Sequence, residues 1–172
     1  MNKTIRLIAA GALLAAGVPL SAMAQTITIS ATVNSQCNIG NATVNLGALT
    51  LGAQTDNTSS VITLTCNRGA TVAVALNNGA NASGTQKRMQ RLATGDYINY
   101  SITVPTISGV TTTCPALPGT SWNATNTLVA SPLFATNGGP RDLALCVSVP
   151  SGQFDLGAGA YTDTVTATLT VS

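Results

Sequence analysis

Histidine and glutamate are both absent from this 172-residue chain. Without histidine, neither a Ser–His–Asp nor a Cys–His nucleophile can be assembled. Zinc ligation loses its usual nitrogen donor. Charged residues make up only 7% of the chain, and beyond the first few positions the bases are Arg68, Lys87, Arg88, Arg91 and Arg141. Five aspartates (Asp56, Asp96, Asp142, Asp155 and Asp163) balance them. A near-neutral chain of this kind has no electrostatic basis for holding nucleic acid or an anionic membrane. Five Asp are enough for a paired-carboxylate hydrolase. They fall mostly in turn-like or solvent-facing contexts, however, where Asp is a common turn former. No enzyme activity and no cofactor are expected. No Gly-rich phosphate loop follows a strand, because Gly157-Ala158-Gly159 precedes one.

The first 24 residues carry a different signal. Lys3 and Arg6 form a basic start, residues 7–18 are apolar, and Ala22-Met23-Ala24 has the small-residue pattern of a cleavage site. The expectation is a signal peptide over residues 1–24, cut between Ala24 and Gln25, and one domain over residues 25–172. No later stretch is long and apolar enough to span a bilayer. Export makes disulfides the natural state of Cys37, Cys66, Cys114 and Cys146. Metal binding is the competing reading, and it needs clustered ligands that this spacing does not provide. Three pairings are open. The sequential one, Cys37 with Cys66 and Cys114 with Cys146, is the expectation, each bridge being worth about 3–4 kcal/mol in the chain-entropy model.

The rest reads as β-structure. Residues 26–33 alternate, with Ile27, Ile29, Ala31 and Val33 on one face. Residues 43–51 are a weaker apolar stretch, and Asp56-Asn57-Thr58-Ser59-Ser60 is turn chemistry. Residues 61–66 and 71–76 alternate on either side of Asn67-Arg68-Gly69, which predicts a hairpin. The stretch from residue 77 to 85 is a loop by composition. Lys87-Arg88-Met89-Gln90-Arg91 is the one charge cluster, read as a solvated segment protecting an edge strand and, as the alternative, as a patch for an acidic partner. Strands are expected at residues 97–104 and 143–149, and a strand broken at Pro132 within 128–134. Residues 105–126 form a long loop around Cys114, and Trp122 is expected in the core. Sequons at Asn41, Asn57, Asn81, Asn99 and Asn123 follow from a composition rich in Asn, Ser and Thr. No helical period survives after residue 24. About seven or eight short strands divided by turns indicate an all-β sandwich.

The most regular stretch lies at the end. From Tyr161 to Ser172 every even position up to Thr170 is Thr, and Tyr161, Val165, Ala167, Leu169 and Val171 mark the apolar face, interrupted by Asp163. This is one long strand with a wet face and a buried face. If it is the last strand, its outer flank is expected to present unpaired backbone groups. Such an edge is suited to strand addition from another chain.

The run Gly159-Ala160-Tyr161-Thr162-Asp163-Thr164-Val165, followed by alternating Thr, resembles the G-x-Y-x-D-x-V ending of spore coat protein U domains, the subunits of archaic chaperone–usher pili. The opening is similar too: an alternating strand, then Cys37-Asn38-Ile39, then Ile62-Thr63-Leu64-Thr65-Cys66. The resemblance supports pairing of Cys37 with Cys66. It implies an incomplete immunoglobulin-like β-sandwich of pilin type, its final strand missing, with two disulfides. It further implies partners: a periplasmic pilus chaperone that lends a strand, an outer-membrane usher, and neighbouring pilin subunits. The chain would pass through the periplasm to a cell-surface fimbria serving adhesion and biofilm formation. The acceptor groove would run along Tyr161, Val165, Ala167, Leu169 and Val171, with Ile27 and Ile29 as donor-strand candidates. Residues 25–36 are long enough for one strand, either a donor or the first strand of the sandwich. That short start and the irregular 106–126 loop motivate the alternative, a non-polymerising binding module such as a pilus-tip adhesin or a secreted coat protein.

Overall fold

The computed structural model describes residues 28–92 and 95–172. The expected signal peptide, the cleavage pair Ala24 and Gln25, and Ile27 lie outside the described residues. The chain divides into two units, 1–32 and 33–172. In the first, residues 28–32 carry no strand, and Ile29 is 91% exposed. The strand expected over residues 26–33 is therefore not found in its described part. Alternation makes a segment competent to be a strand, but its backbone needs a partner edge to become one.

In the second unit the strands, in chain order, are β1 (Cys37–Ile39), β2 (Thr55–Cys66), β3 (Val72–Leu76), β4 (Lys87–Arg91), β5 (Tyr97–Thr103), β6 (Thr106–Ser108), β7 (Thr111–Thr113), β8 (Leu128–Val129), β9 (Gly139–Val149), β10 (Tyr161–Thr162) and β11 (Ala167–Val171). One 3-10 turn, Ser131–Phe134, sits where Pro132 breaks the apolar run after β8. Every pairing is antiparallel. A six-stranded sheet runs β1-β2-β9-β5-β4-β10, a three-stranded sheet runs β11-β3-β8, and β6 and β7 form a hairpin. This is the all-β sandwich the pattern called for, of the incomplete kind the resemblance implies, with strands as nearly all of its regular structure.

The core is drawn from both sheets. Leu64 and Leu143 from the larger sheet, Val74 from the smaller, and Leu133, Phe134 and Trp122 from the connections are all fully buried. Trp122 ties the layers together: its backbone N–H donates to the Ile102 carbonyl at 2.6 Å, and its indole N–H donates to the Val74 carbonyl at 2.9 Å.

Four sequence expectations need correction. The segments 61–66 and 71–76 are not a hairpin. β2 pairs with β1 and β9, while β3 pairs with β11 and β8, so the Asn67-Arg68-Gly69 bend carries the chain from one sheet to the other. The turn expected at residues 56–60 is part of β2. Asn57 Oδ1 accepts from the Ser59 and Ser60 N–H groups at 3.2 and 3.1 Å, so its turn chemistry produces a bulge inside the strand. Lys87–Arg91 is not a solvated segment, as described below. The final stretch is not one strand in one sheet, because β10 belongs to the larger sheet and β11 to the smaller.

The 105–126 segment acts as a cover. All seven residues from Leu143 to Val149 are buried, so β9 has both faces shielded. The β6–β7 hairpin supplies part of that shield. Thr112 Oγ1 donates to the Asp142 carbonyl at 2.9 Å and accepts from the Ala144 N–H at 2.7 Å. Cys114 is bridged to Cys146 on the same face.

Candidate functional site

The site is built on β11 and its surroundings. Strand β11 pairs with β3 through Ala167 opposite Leu76, Leu169 opposite Val74 and Val171 opposite Val72. Directly opposed residues share a face, so these six side chains line the inner side of the smaller sheet. Their burial differs across the ladder. Val72, Val74 and Leu76 are buried, whereas Ala167, Leu169 and Val171 are only partly so. Among the described residues, nothing pairs with the outer edge of β11. Burial alternates without a break from Tyr161 to Ser172, with every Thr exposed and Tyr161, Val165, Ala167, Leu169 and Val171 all half-buried.

Across from this edge lies the edge of the larger sheet. Strand β1 approaches β11 to within 8 Å between Cα atoms without pairing to it. Its Cys37 and Ile39 pack on the core and stay partly open, like the β11 residues they approach. Cys37 sits opposite Cys66 in the ladder and is bridged to it, with 4.1 Å between Cα atoms, so the disulfide fastens β1 to β2 at this seam. Among the described residues, two strand edges without a further partner therefore flank one seam lined by half-buried apolar side chains.

The base of the seam is held by a polar knot that composition alone does not reveal. Asp163 lies in the four-residue step between β10 and β11. Its Oδ1 accepts from the Asn81 backbone N–H and the Asn81 side-chain amide, each at 3.1 Å, and its Oδ2 accepts from the Tyr100 hydroxyl at 2.6 Å. The Asn77 N–H donates to the Thr166 carbonyl at 2.9 Å, Asn77 Oδ1 accepts from the Thr166 N–H at 2.9 Å, and the Ala80 N–H donates to the Thr164 carbonyl at 3.0 Å. The loop at residues 77–81 thus clasps the chain where it changes sheets. Gly79 permits the approach: its φ is +93°, and a Cβ there would stand 2.0 Å from Asp163 Oδ2.

Lys87 completes the knot. It is 1% exposed, and its ammonium donates to the Asn77 carbonyl. Burial lowers its pKa below the ordinary 10.5, and the Asp163 charge opposes that shift. Tyr100 is shifted upward, first by burial, then by its hydrogen bond to Asp163 and by the charge of that carboxylate. The other cations of β4 are also engaged. Arg88 Nε donates to the Asn81 carbonyl at 3.0 Å, and its guanidinium stacks 4.1 Å from the Tyr97 ring. Arg91 pairs with Asp96 at 2.8 Å and donates to the Ala158 carbonyl at 2.7 Å. The charge cluster is internal architecture, which removes the acidic-partner reading.

The G-x-Y-x-D-x-V run now has a local explanation. At Gly159, with φ of +152°, a Cβ would meet Arg91 Cδ at 3.0 Å. The Tyr161 hydroxyl donates to the Gly157 carbonyl at 2.8 Å. Asp163 is the knot, and Val165 begins the half-buried row. Sequence reasoning missed Asn77, Asn81, Lys87 and Tyr100. The one signal for them was Asp163 itself, a lone acid on an otherwise apolar face.

A search of curated proteins found no match. Among solved structures, a chain of the CsuC–CsuE chaperone–tip adhesion subunit pre-assembly complex, from archaic chaperone–usher Csu pili of Acinetobacter baumannii, is similar at a TM-score of 0.51 and 21% identity. The match covers 80% of this chain and 40% of that one, so this chain spans less than half the length of that protein. The likeness is one of fold. The family model for the Spore Coat Protein U domain matches residues 23–168, most of the chain. This chain belongs to the spore coat protein U domain family.

Proposed function

We propose that this chain is an exported structural subunit of a chaperone–usher pilus that completes its sandwich by accepting a strand along β11. The carrying observation is the contrast across the β11–β3 ladder: an unpaired edge whose inward apolar row is half-buried while its partners are fully buried. An added strand would pair with the edge and cover Val165, Ala167, Leu169 and Val171 in one step. Two inter-strand intervals span about 9.5 Å, and at their nearest points β1 and β11 already lie within 8 Å of each other. The seam therefore has to open to admit a full strand, and a periplasmic chaperone lending its own strand would hold it open until an outer-membrane usher brings the next subunit. The alternating segment with Ile27 and Ile29 supplies the donor strand for a neighbour. Fibres of such subunits on the cell surface serve adhesion and biofilm formation.

Co-expression with a pilus chaperone tests this reading. A soluble one-to-one complex is expected, with self-association of the chain, chiefly into polymer, when the chaperone is left out. A chain that is monomeric and stable alone, with no strand bound, would overturn it.

A further inference from the structure

Just before β1, one side chain governs the path of the main chain. The β1–β2 register continues one step beyond Cys37 and Cys66, where the Asn67 backbone N–H donates to the Gln36 carbonyl at 3.1 Å. There the backbone of β2 turns away, and the Asn67 side chain replaces it as a ladder partner. Its Oδ1 accepts from the Gln36 N–H at 2.9 Å, and its amide donates to the Asn34 carbonyl at 3.0 Å. Residues 34–36 are thereby held in line with β1 although all three are exposed.

The direction of that line decides which groove the preceding segment can reach. Strand β11 runs toward the end of the sandwich where Val171 opposes Val72, the same end at which β2 finishes at Cys66. Strand β1 runs away from that end. For residues 28–33 to lie along β11 of their own chain, the backbone would have to reverse within residues 34–36. Three residues are enough for such a hairpin loop, and Ile29, Ala31 and Val33 have the alternation to fill a groove. The contacts such a reversal would strain are those of Asn67, two through its side chain and one through its backbone N–H.

We infer that Asn67 is a positioning residue that blocks self-complementation and so commits the N-terminal segment to the groove of a second copy. This rests on the pilus-subunit reading. Two solvent-facing hydrogen bonds bias the choice by about tenfold, enough to set a ratio without locking the chain.

The test uses the full chain, unfolded in denaturant and refolded without chaperone over a range of concentrations, with monomer and polymer separated by size-exclusion chromatography and light scattering. Wild type is expected to give mainly polymer. N67A is expected to raise the monomer-to-polymer ratio about tenfold, and N67D, which keeps the acceptor for Gln36 but loses the donor to Asn34, to fall between. The N67A monomers should melt cooperatively, and adding I29D should convert them to aggregate, a response that mere structural damage at residue 67 does not produce. If N67A yields only aggregate, the N67D ratio decides in the same assay. An unchanged ratio in both variants overturns the inference and leaves the pilus reading standing. Stable wild-type monomers that never polymerise overturn both.

Discussion

Leu169 lies directly opposite Val74 on the same face of the same sheet, yet Val74 is fully buried and Leu169 is left half-open. β3 has a neighbour on each side and β11 has one only on its β3 side among the described residues, so the inner row of β11 is the less covered. On the proposed reading, a strand added along the outer side of β11 would supply the cover that Leu169 lacks. A charge at Leu169 would have to be desolvated by any strand added there. Leu169→Asp is expected to abolish chaperone capture and fibre formation, and Thr166→Ser, on the exposed face, to leave both unchanged in a pull-down and by electron microscopy. Equal loss in the two variants would mean the facing of the strand is misassigned.

Asp163 anchors the step between β10 and β11 through Asn81 and Tyr100. Hydrogen bonds to a carboxylate are individually worth about 1.5–3 kcal/mol, and an orphaned partner adds its desolvation cost. Asp163→Ala is expected to cost about 3–5 kcal/mol, read as a lower urea midpoint of the assembled chain. A loss below about 1 kcal/mol would show that the knot does not hold the crossover.

The alkaline limb of the stability profile should carry two opposed slopes. Lys87 has a lowered pKa when folded, so between that value and its ordinary 10.5 the unfolded chain binds more protons and stability rises with pH. Tyr100 has a raised pKa when folded, so above its ordinary 10.0 the folded chain keeps a proton the unfolded one has lost, and stability falls as pH rises. Lys87→Met should remove the rise and Tyr100→Phe the fall. Urea midpoints taken from about pH 8 to about pH 11 would show both, and a flat profile in wild type would contradict the assignment.

The two disulfides should differ in consequence. Each closes a loop of similar size, with separations of 29 and 32 residues, so removing either should cost a comparable stability of about 3–4 kcal/mol. Cys37–Cys66 fastens β1 at the seam, whereas Cys114–Cys146 fastens the cover over β9. Cys37→Ser with Cys66→Ser should therefore reduce assembly well beyond Cys114→Ser with Cys146→Ser at matched stability, measured as polymer yield.

Period-two alternation made the strands legible. Ile62 and Leu64, Ile98 to Ile102, and Val72 to Leu76 are buried as their pattern requires. The run at residues 143–149 was legible as a strand, but its second buried face was not, because the cover comes from Thr112 and Cys114, distant in sequence. Partner choice was hidden for the same reason. The bend at Asn67-Arg68-Gly69 has the chemistry of a hairpin turn, and only packing decides that it joins two sheets. The final strand illustrates both sides: its facing was readable at every residue from Tyr161 to Val171, while its change of sheet was invisible, since alternation continues through the step. Lys87 was misread because a lysine normally keeps its charge in water, and the carbonyl that receives it belongs to Asn77, inside a stretch readable only as loop.

The most direct measurement is amide hydrogen exchange over Ala167–Val171, in the lone chain and in assembled fibres. Amides of β11 that point away from β3 should exchange freely in the lone chain and become protected in the fibre, while those paired with β3 stay protected in both. Full protection of β11 in the lone chain, unchanged on assembly, would contradict an open acceptor edge.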